Sequence, residues 1–198
     1  MERVTPTTLS GRYVRLEPLE MRHAAGLFNV GRESSIWEWL ALDPLSTQGD
    51  AERYIQEALS AAAGGAEIPF AAIDLASGAV AGTTRFLEIR PPDRALEIGW
   101  SWYGVAYQRT ALNTEAKLLL LTHAFDVWGA QRVQFKTDAR NVRSRRAIER
   151  LGAKPEGILR RHSIIRKNGN PRDSAYYSII REEWDAVRIR LQALLPSE

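Results

Sequence analysis

Cysteine is absent from this 198-residue chain, which excludes disulfides, thiolate metal sites and a cysteine nucleophile. Histidine is scarce. His23, His123 and His162 are scattered and show no metal-ligand spacing. Charge of one sign is also in short supply: 27 Lys and Arg against 24 Asp and Glu leave a net charge of +3. That balance gives little support for nucleic acid as the main partner, and no direct nucleic-acid binding is expected. It is compatible with an anionic ligand. No run approaches the roughly 18 apolar residues of a membrane span, so no membrane partner is expected. The polar stretch from Met1 to Ser10 lacks the apolar core of a signal peptide. A chain without cysteine, leader or span fits the cytoplasm.

What is present fits one domain. Apolar residues make up 44% of the chain, enough for a full core, and no repeat, linker or low-complexity tract interrupts it. The expectation is a single domain over residues 1–198, its core at about 11–185, closed by an amphipathic helix at about 182–195. A short strand at 12–17 ends at Pro18, and helices follow at about 20–32 and 47–63, the second with Asp50 as a possible cap. Residues 69–75 and 80–89 read as a hairpin around Ala76-Ser-Gly78. Further strands are expected at 95–103 and 132–137. A short helix stops at Gly152, and a last hairpin turns at Lys167-Asn-Gly-Asn170.

The stretch from Arg94 to Gly152 organises the rest. Alternation places Leu96, Ile98, Trp100 and Trp102 on one face of a strand, and Glu97, Gly99, Ser101 and Tyr103 on the other. A polar turn, Tyr107-Gln-Arg-Thr-Ala-Leu-Asn-Thr114, then enters a helix with Ala116, Leu119, Leu120, His123 and Ala124 on one stripe. Strand, loop and helix N-terminus together form a natural anion site, because unpaired N–H groups and the helix dipole converge there. The hypothesis from the residues is a phosphorylated cofactor at this junction.

Two motifs here are similar to those of the GNAT superfamily of N-acetyltransferases. Gln108-Arg-Thr-Ala-Leu-Asn113 occupies the place of the family's Gln/Arg-x-x-Gly-x-Gly/Ala loop. Asn141-x-x-Ser144 leading to Glu149-Arg-Leu-Gly-Ala153 is similar to the family's Asn-x-x-Ser/Ala and Glu-Lys-Leu-Gly-Phe segments. Leu96-Glu-Ile-Gly-Trp100 and Asp173-Ser-Ala-Tyr-Tyr-Ser-Ile179 resemble the branch of ribosomal-protein N-terminal acetyltransferases. Both loop glycines are replaced, by Ala111 and Asn113. Asn113 can adopt left-handed φ or cap the helix, whereas Ala111 supplies neither freedom.

The resemblance implies an α/β (α+β) GNAT-like domain. Its mixed, mostly antiparallel sheet would splay between the fourth and fifth strands, with helices on both faces. It implies acetyl-CoA as cosubstrate, direct transfer to a primary amine and a possible homodimer through the last hairpin and C-terminal helix. The acceptor would be a peptide or protein N-terminus or a small molecule. The cofactor set it implies is Trp102, Tyr103, Gln108, Arg109, Thr110, Ala111, Asn113, Thr114, Asn141, Arg143 and Ser144. Glu97 is the first candidate for the base, with a surface or ion-paired glutamate as the competing role, and His162 is the second. The family's acidic tyrosine is replaced by Ile148. That leaves Ser144, or Tyr176 or Tyr177, as the acid, and one of the two tyrosines must face the core. Trp37, Trp39, Trp100 and Trp102 could wall an acceptor groove, with core packing as the alternative for each. A non-catalytic acyl-CoA-binding module and a ribosome- or RNA-binding protein drawing on Arg140, Arg143, Arg145 and Arg146 are the competing classes.

Overall fold

A computed structural model of the protein describes residues 5–40, 42–165 and 167–196. The ends of the expected 1–198 domain, including residues 1–4 of the polar N-terminal stretch, lie outside the described residues. So do positions 41 and 166. In chain order the strands are β1 (Leu9–Ser10), β2 (Val14–Pro18), β3 (Ile68–Asp74), β4 (Val80–Arg90) and β5 (Ala95–Tyr103). They continue with β6 (Arg132–Asp138), β7 (Lys154–Ile164) and β8 (Pro171–Ile180). The helices are α1 (Ala24–Val30), α2 (Gln48–Ala62), α3 (Ala111–Thr122), α4 (Val142–Leu151) and α5 (Trp184–Ala193). Among the described residues no helix is long and apolar enough to cross a membrane.

The strands form one open sheet in the order β1-β2-β3-β4-β5-β6-β8-β7, antiparallel everywhere except between β5 and β6. α1 and α2 cover one face through Leu27, Tyr54 and Ile55, which pack with Ala71, Ile73 and Trp102. α3, α4 and α5 cover the other through Leu120, Ile148 and Trp184, against Phe86, Val133 and Tyr177. The two-residue β1 is not foreseen by the sequence pattern. The expected fourth and fifth strands are therefore β5 and β6.

Local chemistry explains the helix ends and corrects three readings. α2 is capped by Thr47, whose side chain accepts from the Asp50 N–H; Asp50 returns a carboxylate to the Thr47 N–H at 2.8 Å. The expected cap, Asp50, is the third residue of a capping box. α3 starts at Ala111 rather than near Thr114, and its cap is Thr110, not Asn113. Its last turn widens over His123–Val127, and Gly129 ends it at φ +67°.

The third correction concerns β5. Thr83 pairs with Trp102 and Arg85 with Gly99, so Trp100 and Ser101 together oppose Thr84 alone. This is a β-bulge, with Trp100 at φ +48°. An inserted residue inverts the alternation beyond it. Leu96 and Ile98 stay with the α3 face, but Trp102 crosses to the α1–α2 face and Tyr103 joins Leu96 and Ile98.

One tie secures the N-terminal edge. The buried Glu115 carboxylate of α3 accepts the N–H groups of Arg12, Tyr13 and Val14 at 2.7, 2.6 and 2.8 Å. Hydrogen bonds to a buried charge are among the stronger ones, and an orphaned partner costs its full desolvation. Glu115→Gln replaces one acceptor oxygen with a donor. It is expected to lower unfolding stability by about 3 kcal/mol, read as a reduced urea midpoint at unchanged slope. A loss below about 0.5 kcal/mol would contradict the role assigned to this tie.

Candidate active site

β5 and β6 stay together for only three rungs: Ala95 with Arg132, Leu96 with Val133 and Glu97 with Gln134. Beyond Glu97 the two strands diverge, and β5 has no strand partner on that side. A cavity of about 450 Å³ occupies the gap, reached from the start of α3 and α4 at one end and from β7 and β8 at the other.

At the helical end the structure gathers Trp102, Tyr103, Gln108, Asn113, Asn141, Arg143 and Ser144 around the cavity. The Gln108 amide donates to the Tyr103 carbonyl at 2.9 Å, fixing the loop to the end of β5. Helix geometry leaves the first N–H groups of α3 without intrahelical partners, and Thr110 Oγ1 satisfies only that of Leu112. At α4 the Asn141 side chain accepts from the Ser144 N–H at 2.9 Å and caps the helix. Ser144 itself lines the cavity.

Arg109, Thr110 and Ala111 stand at the rim, outside the cavity wall. Thr114 turns away from it, accepting a hydrogen bond from Arg150 at 3.0 Å. The left-handed position in this loop is Arg109, at φ +60°, and neither Ala111 nor Asn113 adopts positive φ. The replaced glycines therefore create no backbone strain. Of the arginines near α4, Arg140 is held on Asp138 and Arg145 on Tyr177. Only Arg143 of the four lines the cavity.

The other end is polar. Glu97 is 2% exposed, and its Oε2 accepts from Gln134 Nε2 at 3.1 Å and lies 3.4 Å from Lys136 Nζ. Glu88, turned in by its own bulge at φ +48°, shares the same two partners. Burial pushes the Glu97 carboxyl above its usual range; Lys136 opposes this and the Glu88 charge adds to it. The second oxygen of Glu97 points past Gly99, where a Cβ would sit 3.1 Å from Oε1. Glycine thus keeps that oxygen open to the cavity.

His162 lies across the cleft, its ring nitrogens 3.1 Å from Ser174 Oγ and 3.1 Å from the Tyr176 hydroxyl. Burial, then Lys136 and Arg172, lower its pKa. The tyrosine ambiguity resolves with Tyr177 in the core, held by Arg145 and Glu149, and Tyr176 on the polar face. Trp37 and Trp102 pack at a 49° tilt, centroids 4.9 Å apart, within the core under α1 and α2, whereas Trp39 and Trp100 wall the cavity. Trp102 also borders the cavity, so it serves both packing and the site.

Two cavity residues escape the sequence reading. Lys117 of α3 is buried, with Nζ 2.7 Å from Ser101 Oγ and 3.3 Å from Thr84 Oγ1. Its signal was available: a lysine beside Ala116 and three residues before Leu120 falls on the apolar stripe. Arg172, next to a turn, reads like any surface charge. Among the described residues no group of three His, Asp or Glu side chains could hold a metal ion.

Comparison with known proteins gives a consistent picture. Residues 14–154 match the family model described as "Acetyltransferase (GNAT) domain". The crystal structure of a GCN5-related N-acetyltransferase from Brucella melitensis superposes with a TM-score of 0.92 at 34% identity, over 98% of this chain and 87% of that one. The Bacillus subtilis protein named "Putative ribosomal N-acetyltransferase YdaF" is 29% identical over 114 residues, 58% of this chain. The match spans 61% of that relative's length. Microcin C7 self immunity acetyltransferase MccE, solved in complex with acetyl-CoA and AMP, shares the fold at 19% identity and a TM-score of 0.74, over 86% of this chain and 93% of that one.

The Lys117 ammonium is pushed by burial from 10.5 down to about 7. Between those values the unfolded chain binds the extra proton. The cost of burying Lys117 is therefore fully present below about pH 7 and fades as pH rises toward 10.5. Lys117→Met removes this dependence. Its melting temperature, relative to the unaltered protein, should be highest near pH 6 and lose that advantage by about pH 9.5. Parallel melting curves across this range would count against a charge-sensitive burial.

Proposed function

The chain belongs to the GNAT acetyltransferase family, and we propose that it moves an acetyl group from acetyl-CoA directly to a primary amine. The favoured acceptor is a peptide or protein N-terminal α-amine. One observation carries the reading: the gap between β5 and β6 joins a buried carboxylate at one end to a helix N-terminus at the other. The residues present fit such a cosubstrate. The unpaired edge of β5 offers backbone groups to an extended amide chain, and the first turn of α3 offers N–H donors to a pyrophosphate. Lys117, Asn113 and Arg143 add side-chain donors along the same wall.

Acetyl-CoA supplies the activated thioester carbonyl. Glu97, open past Gly99, takes the proton from the attacking amine, directly or through one water; its raised pKa suits that task. A backbone N–H of the free β5 edge stabilises the oxyanion as the N–C bond forms. The C–S bond breaks, and the Ser144 hydroxyl passes a proton to the departing thiolate as it takes one from solvent water. Lys136 and Gln134 hold Glu97 in place rather than joining the transfer. No covalent enzyme intermediate is needed, which suits a chain without cysteine. Small-molecule amines would use the same site, and the "ribosomal" name of the Bacillus relative is what favours peptides. The proposal includes a cytoplasmic location. It also includes a homodimer along β7, whose outward Ile158, Leu159 and Ile164 are exposed; molar mass from light scattering tests that part.

The function is tested by thiol release from acetyl-CoA with a panel of N-terminal peptides and small amines, where turnover is expected. CoA binding without turnover on any amine would instead make the chain an acyl-CoA-binding module. No rise in melting temperature with acetyl-CoA or CoA would defeat both. Glu97→Gln should lower kcat by about 100-fold at neutral pH while keeping the stabilisation by acetyl-CoA. In the unaltered enzyme kcat/KM should fall as pH drops through the raised Glu97 pKa, and that limb should vanish in the variant. A pH profile unchanged by the substitution removes Glu97 from the role of base.

A further inference from the structure

The acceptor end of the cleft holds a cation that this chemistry does not use. Arg172, near the start of β8, lines the cavity together with Glu97, Lys136 and His162. Its Nε is buried without a hydrogen-bond partner. The carboxylates whose charge it feels, Asp138 and Glu97, are committed elsewhere. Asp138 accepts from Arg140 N, Nε and Nη2 at 2.9, 3.0 and 2.8 Å. Glu97 Oε2 is taken by Gln134 and Lys136. Among the described residues no carboxylate lies within ion-pair distance of the Arg172 guanidinium. Burial lowers its pKa against the pull of both carboxylates, in keeping with a cation short of a partner.

A guanidinium carries five donors in a planar fork, and leaving them unpaired in a half-buried wall is costly unless a ligand brings acceptors. The fork matches a carboxylate in bidentate fashion, more strongly than a neutral carbonyl. One free cation among Glu88, Glu97 and Asp138 suits a single negative charge rather than a phosphate dianion. Deepening the proposed function and resting on it, we propose that Arg172 receives a carboxylate carried by the acceptor. The preferred acceptors are then primary amines with a carboxylate a few bonds from the nitrogen. That carboxylate is either the α-carboxylate of a free amino acid or an acidic side chain beside a peptide N-terminus.

The experiment compares two matched pairs of acceptors at saturating acetyl-CoA. L-alanine is set against L-alaninamide, and C-terminally blocked peptides beginning Ala-Asp against those beginning Ala-Asn. The expected result is a kcat/KM at least 10-fold higher for the acid in one pair, and the pair that responds identifies the source. Arg172→Gln should erase that preference by raising KM for the acid at least 10-fold. It should leave the amide, the KM for acetyl-CoA and the stabilisation by acetyl-CoA unchanged. Arg172→Lys, which keeps the charge but not the fork, should recover part of the preference. Parity of acid and amide in both pairs overturns the assignment, as does Arg172→Gln slowing acid and amide alike. Absence of turnover with every amine defeats the transferase reading itself, which separates the two failures.

Discussion

The Glu97–Gln134 rung is the last point at which β5 and β6 hold each other, and the site depends on where that ladder stops. One more rung would close the gap and bury the β5 edge in sheet hydrogen bonds. One fewer would detach the carboxylate from the strand that orients it. Parallel pairing is slightly weaker per residue than antiparallel pairing. The sheet therefore opens at its single parallel seam, while the antiparallel ladders on either side keep both lips rigid. The bulge at Trp100 lies just past the opening and turns the Trp102 side chain toward α1 and α2.

Around that seam the protein accepts buried charge it could have avoided. Glu97 and Lys117 both line the cavity, and burial shifts each toward its uncharged form. Buried charge elsewhere is matched by partners: Glu115 accepts three backbone N–H groups, and Arg85 pairs with Glu67. A carboxyl and an amine that burial shifts toward their uncharged forms are poor for stability and suited to proton movement. Their confinement to one gap, within a fold shared with acetyltransferases, is consistent with a functional cost.

Much of this architecture is legible in the sequence, for identifiable reasons. Strand alternation, Gly-containing turns and capping residues locate every major element, and the two motifs around Gln108 and Asn141 locate the cleft. The failures have physical causes. A period-of-two reading cannot see an inserted residue, so the bulge reverses the faces predicted for Trp102 and Tyr103. Thr47 and Asp50 are both able to cap, and only geometry shows that they act as a pair. Thr114 directly follows the Gln108–Asn113 motif, but its side chain accepts from Arg150 and does not line the cleft. Arg172 is invisible to pattern because its meaning lies in partners it lacks.

The tie between Glu115 and the turn at Arg12–Val14 bears on the loop that precedes α3. Three amides grip that helix from behind, one turn from its start, so its aim into the cleft is set by an anchor remote from the ligand side. A helix moored at its back does not need a tight glycine turn at its front to keep its bearing. The loop ahead of it is consequently free to drift in sequence. Ala111 and Asn113, in the first turn of the moored helix, hold ordinary negative φ with no glycine needed.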